Sequence, residues 1–204
     1  MLRSNVTVCG VVSKSSCCRT NKEGKAFVTL TVNVVIPARS GINKTVEVAV
    51  IKDGSIMEGG NYAEGERVEM TGVMTIKKRG EQWLFNLRAD NVKAASEDSK
   101  EGITGDMEFR GKVGKNIEEK QDKKGNPFLL FSAFSTEKND ETFEFTWVRF
   151  LQFGGKREGW LQQGARVSVK GTLELSAYND RLDITCRVKE MEEYVPQPFP
   201  IGRE

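Results

Sequence analysis

Three side chains within WVRFLQFGGK, residues 147–156, are of the kinds that hold an unpaired nucleic-acid strand: Trp147, Arg149 and Phe153. In an extended segment, residues two apart share a face. Trp147, Arg149 and Leu151 then point one way and Phe153 follows at the same spacing, with Lys156 just beyond. An aromatic face accepts an unpaired base at about 1 to 3 kcal/mol per stack, and a cation beside it offsets phosphate charge. The competing role for such aromatics is core packing. Against it, Val148 and Phe150 already furnish the opposite, inward face, and burying Arg149 beside Trp147 would take a charge away from water.

Catalytic chemistry finds little support. The chain has no histidine, which removes the commonest general base near neutral pH and the Ser-His and Cys-His nucleophile pairs. Glycine-lysine pairs begin at Gly111, Gly114 and Gly155, yet none has the upstream glycine and following Ser or Thr of a phosphate-cradling loop. The carboxylates are scattered, where a metal-dependent nuclease needs them clustered. Cys9, Cys17, Cys18 and Cys186 form no Cys-x-x-Cys pair, so no zinc site is expected and the thiols read as ordinary reduced side chains. The expectation is a binding module with no cofactor and no metal, not an enzyme.

The elements that must position these residues show in an internal repeat. Laid on itself with an offset of 101, the chain pairs Gly10 with Gly111, Val12 with Val113, Gly24 with Gly125 and Phe27 with Phe128; at an offset of 99, Gly65-Glu-Arg-Val meets Gly164-Ala-Arg-Val and Gly72 meets Gly171. Short β-branched or aromatic runs alternate with turn clusters at 21–24, 122–126 and 179–180. Strands are expected at 6–12, 27–35, 45–51, 67–76 and 83–90, and again at 107–113, 128–134, 143–150, 166–175 and 181–188. Five strands per unit, with room for one helical turn at 61–64 or 160–163, predict an all-β chain of two tandem five-stranded OB-fold barrels. The strand-interior glycines Gly10, Gly72, Gly111 and Gly171 read as scaffold.

The first domain is placed at 1–95, a short polar linker at 96–106, the second domain at 107–195 and a Pro-rich tail at 196–204. The tail carries Pro196, Pro198 and Pro200, which block regular structure. No apolar run approaches a membrane span and no signal-peptide pattern follows Met1, so a cytoplasmic location is expected. Net charge is +2, but residues 1–95 hold 14 Lys plus Arg against 9 acids while 107–195 balance at 15 and 15. The first domain is the electropositive one.

Further candidates lie in the hairpins. Lys77, Lys78 and Arg79 sit between strands four and five of the first domain with Trp83 just beyond; a solvated turn, and core packing for Trp83, are the competing roles. The matching hairpin of the second domain offers Tyr178 and Arg181, and Arg110 and Lys112 lie on the polar face of its first strand.

These residues carry a resemblance. Trp-x-Arg-x-x-x-Phe-Gly followed by Lys resembles the third strand of bacterial single-stranded DNA-binding proteins. Lys25-Ala-Phe-Val-Thr-Leu-Thr-Val-Asn resembles that family's second strand, and Gly164-Ala-Arg-Val-Ser-Val-Lys-Gly171-Thr-Leu its fourth. The resemblance implies that Trp147 and Phe153 stack on bases with Arg149 near phosphates, and that a two-barrel chain forms a homodimer presenting four barrels. It implies work on single-stranded DNA during replication, recombination or repair, with replication or recombination proteins as further partners. The first domain departs, carrying Glu47, Ala49 and Asp53 at the aligned positions. The ending Pro-Phe-Pro-Ile-Gly-Arg-Glu also departs from the family's acidic, Pro-Phe-terminated tail. The alternative reading is a tandem OB interaction or scaffold module of a primosome or recombination complex.

Overall fold

The computed structural model describes residues 2–55, 60–139, 142–154, 156–179 and 181–195. Among the described residues eleven strands run in order: β1 (Leu2–Thr20), β2 (Ala26–Ile36), β3 (Ala38–Ser40), β4 (Lys44–Asp53), β5 (Arg67–Arg79), β6 (Gln82–Ala94), β7 (Gly102–Gln121), β8 (Pro127–Asn139), β9 (Thr142–Phe153), β10 (Arg166–Tyr178) and β11 (Arg181–Glu193). The strands form because apolar residues alternate with polar ones at the period of a pleated chain. In β2, Val28, Leu30, Val32, Val34 and Ile36 are buried while the residues between them are only half-buried.

Pairing closes the strands into two barrels. In the first, β1 pairs with β2, β2 with β4, β4 with β6, β6 with β5 and β5 with β1, all antiparallel except β4 with β6. The second repeats this circuit as β7, β8, β9, β11, β10 and back to β7, with β9 and β11 parallel. This closed five-strand circuit, repeated, makes the chain two tandem OB-fold barrels. The second core is the more aromatic, with the Phe150 ring 5.1 Å from that of Phe109 and 5.0 Å from that of Phe131.

The repeat extends to backbone detail. Gly72 and Gly171 each follow a register shift against the last strand of their barrel. A Cβ there would lie 2.2 Å from the Arg88 carbonyl oxygen and 2.1 Å from that of Arg187. The first turn is tied in both barrels by one side chain: Asn21 Oδ1 accepts from the Glu23 and Lys25 amides, and Asp122 Oδ1 from those of Lys124 and Asn126. The Asn126 side chain also donates to Asp122, and these bonds hold its carboxyl below the usual range.

Several elements differ from expectation. β1 and β7 run well past the expected 6–12 and 107–113, because their ends gain ladder partners in β2 and β8 despite polar sequence. No helical turn forms among the described residues; 61–64 and 160–163 are irregular, with turns at 64–65, 159–160 and 163–164. Leu161 is fully buried, and the Tyr62 hydroxyl donates to the Val92 carbonyl at 2.8 Å. Residues 102–106, expected within the polar linker, belong to β7, where they pair with β1 from Cys9 opposite Gly102 to Asn5 opposite Asp106. The preceding Glu101 is anchored too, ion-paired with Arg67 at 3.0 Å and accepting from the Val35 amide at 3.1 Å. Composition cannot reveal such tethering, since the partners lie far away in sequence. The expected tail at 196–204 lies outside the described residues.

The two barrels share one continuous sheet through β1 and β7. A second seam is β3, a short strand on the loop between β2 and β4, which pairs parallel with β10.

Candidate nucleic-acid interface

Strand β9 buries Thr146, Val148 and Phe150, so Phe143, Phe145, Trp147, Arg149 and Phe153 face outward. The four rings keep 60%, 46%, 51% and 50% of their surface exposed, which leaves each a free face. Neighbouring β8 continues this surface: Phe134 stands opposite Trp147, Ser132 opposite Arg149, Leu130 opposite Leu151 and Phe128 opposite Phe153. The result is two aromatic clusters. One joins Phe145, Phe134 and Trp147, with centroids 5.5 and 4.8 Å apart; the other joins Phe128 and Phe153 at 5.5 Å. Six residues of strand, about 20 Å, separate Trp147 from Phe153, with Arg149 between them.

Trp147 is held in place from below. A Cβ on Gly114 of β7 would come within 2.9 Å of Trp147 Cζ3, so the indole lies directly on a backbone with no side chain. Arg187 of β11 stands 5.8 Å over the Phe153 ring and pairs with Glu174. Each contact fixes a ring that would otherwise rotate freely in water.

The expected cations divide into groups. Arg149 ion-pairs with Asp183 of β11 at 3.0 Å. With Tyr178 and Arg181 it lines an open cleft of about 810 Å³ that also admits Arg39 from β3. Lys112 lies in register with Phe134, beside the upper aromatic cluster. Lys156 is exposed in the loop after β9. Arg110 is drawn away instead, its guanidinium 5.1 Å over the Tyr194 ring.

The β5–β6 hairpin behaves differently. Lys77 is engaged with Glu137 of β8 at 2.8 Å, which brings the hairpin beside the Phe143 end of β9, and Lys78 reaches Glu81 at 3.9 Å. Arg79 is exposed and makes no ion pair among the described residues. Trp83 falls on the inward side with Phe85 and Leu87 and packs partly buried against the core.

The corresponding face of the first barrel is polar. Phe27 stands opposite Asp53, Thr31 opposite Ala49 and Asn33 opposite Glu47, so the registers of the two barrels match, but Phe27 keeps the ring of Phe128 while the counterparts of Phe134, Trp147 and Phe153 are not aromatic. Sequence reasoning passed over Phe143, Phe145, Phe134, Phe128, Gly114 and Arg39. For the β9 pair the signal was available, since counting back by twos from Trp147 reaches both. For Gly114 and Arg39 it was not.

No family profile matches the chain, and no curated protein matches it in sequence. Among solved structures, the chain is similar to single-stranded DNA binding proteins and to PriB proteins. The wild-type single-stranded DNA binding protein from Thermus aquaticus aligns over 98% of this chain and 96% of its own at 18% identity, with a TM-score of 0.47. The small single-stranded DNA-binding protein from Streptomyces coelicolor covers 48% of this chain and 97% of its own at 13% identity and a TM-score of 0.37. The N-terminal domain of PriB from Thermoanaerobacter tencongensis covers 45% and 97% at 24% identity and a TM-score of 0.32.

Proposed function

We propose that this protein binds single-stranded DNA with little sequence preference, by stacking bases on the outer face of its second barrel. The observation that carries the reading is the row on β9, four half-exposed rings with Arg149 in their midst. An exposed aromatic row is costly to leave in water, and soluble monomer surfaces rarely keep one without a ligand. Every base has a π-face, so such a row reads strand over duplex, whose bases are already stacked on one another, and does so without regard to sequence. Phosphates are met by Arg149, Lys112, Arg181 and Lys156, at salt-sensitive cost. The role is stoichiometric, coating strands exposed in replication, recombination or repair.

The test is a titration with poly-thymidine and an equal-length duplex, followed by tryptophan fluorescence, with Trp147→Ala in parallel. Quenching by the single strand alone, weakened by about 1 to 3 kcal/mol in the variant, is the expected outcome. Equal binding of wild type and variant, or no binding at all, overturns the reading. The resemblance in 147–156 and 164–173 further supports a homodimer presenting four barrels; a light-scattering mass of one chain would refute that.

A further inference from the structure

We propose that Arg39, carried by the first barrel, completes a phosphate-binding cleft on the second, so that a bound strand ties the two barrels together. The inference rests on the single-strand reading above and adds a residue and a coupling to it. Arg39 lies on β3, whose backbone is fixed to the second barrel: Ala38 and Ser40 are in parallel register with Ala177 and Tyr178, and the Ala177 amide donates to the Pro37 carbonyl at 3.1 Å. The Ala38 amide in turn donates to Asn43 Oδ1 at 3.0 Å, closing the loop on itself. The guanidinium therefore arrives at a set position. It lies 3.5 Å from Asp183, the carboxylate that also holds Arg149 at 3.0 Å, and donates to Thr185 Oγ1 at 3.4 Å.

One carboxylate shared by two guanidiniums leaves most of their ten N–H donors unsatisfied by it, and Arg181, on the same cleft, has no ion pair among the described residues. Among the described residues, three arginines and one aspartate line the cleft. Arg149 is also part of the aromatic row, so a strand stacked on Trp147 passes its backbone across this opening. Planar guanidiniums held side by side match the geometry of a phosphodiester. Asp183 acts as a placeholder anion that keeps them aligned until phosphate arrives.

The measurement is the salt dependence of poly-thymidine binding by the full chain and by Arg39→Ala, Arg39→Lys and Asp183→Asn. Losing one phosphate contact reduces the slope of log affinity against log salt by about 0.7. Arg39→Ala should show that reduction, Arg39→Lys should keep the wild-type slope, and Asp183→Asn should bind more tightly than wild type. A wild-type slope in Arg39→Ala, or weakening by Asp183→Asn alongside Arg39→Ala, makes Arg39 a strut between barrels and overturns the proposal while the stacking reading stands. No strand binding by the wild-type chain overturns both.

Discussion

Arg88 and Arg187 occupy one position in the two barrels, opposite Ile51 and Leu151 respectively, and meet different neighbours there. Arg88 closes on Asp53 at 2.6 Å. Arg187 stands over Phe153, the residue that replaces Asp53 in the second barrel. The same exchange recurs along the face, with Glu47 for Trp147, Ala49 for Arg149 and Asn33 for Phe134, while Phe27 and Phe128 keep a ring in both barrels. Backbone register, glycine placement and turn ties are shared, so the scaffold does not dictate the face. Once the barrel is closed, outward positions are free to change chemistry with little effect on folding, because they contribute little to the core.

The contrast predicts its own reversal. Trp147→Glu, which installs the first barrel's residue, should weaken poly-thymidine binding by at least about 1 to 3 kcal/mol, whereas Glu47→Ala should leave it unchanged; fluorescence titration checks both. Grafting Glu47→Trp with Asp53→Phe should make the first barrel a second stacking face and tighten binding, visible as a larger number of nucleotides covered per chain. Failure of the graft would mean that the flanking cations, and not the rings alone, make a face functional. A smaller effect is expected from Gly114→Ala, whose methyl would push the Trp147 ring from its rotamer at about 0.5 to 1.5 kcal/mol; the titration should register a partial loss with an altered emission maximum.

The smallest effect concerns the thiols. Cys17 and Cys18 are exposed at the end of β1, at positions that hold Glu118 and Glu119 in β7. Cys9 and Cys186 are buried, and burial, assisted by Asp106 and Glu174, pushes the Cys186 thiol up to about 12. At pH 8 the native protein should expose two rapidly reacting thiols to an aromatic disulfide reagent, both in the first barrel, with Cys186 protected because its thiolate is disfavoured. Prompt reaction of all four would show that both barrels open locally, around Cys9 in the first and Cys186 in the second.

The barrels were legible in the sequence because their determinants are local. Alternation in 27–35 and 128–134, the paired glycines and the Asn21 and Asp122 turns each act within a few residues, and they repeat. Trp147, Arg149 and Phe153 were legible for the same reason, as parity along one strand. Phe143 and Phe145 obey that parity too, four and two residues before Trp147. What could not be read was contact between distant segments. The polar ends of β1 and β7, the pairing of 102–106 with β1, and the docking of β3 on β10 depend on partners that local composition does not name. Lys77 belongs to the same class: a basic hairpin looks available until Glu137 of the other barrel is found against it.

The junction of β1 with β7 bears on how the molecule endures dilution. Between residues 2 and 9, β1 has β5 on one side and β7 on the other. Were the barrels separate chains, that second flank would wait for an encounter in solution, and its occupancy would fall as the protein was diluted. Here the short connection after β6 confines the partner strand to an effective concentration of about millimolar. The flank therefore stays filled at any protein concentration, and it is shielded from edge-to-edge pairing with other copies. A nascent chain enjoys that protection only after β7 has emerged from the ribosome, so the first barrel passes through a brief interval in which its own first strand is an open edge.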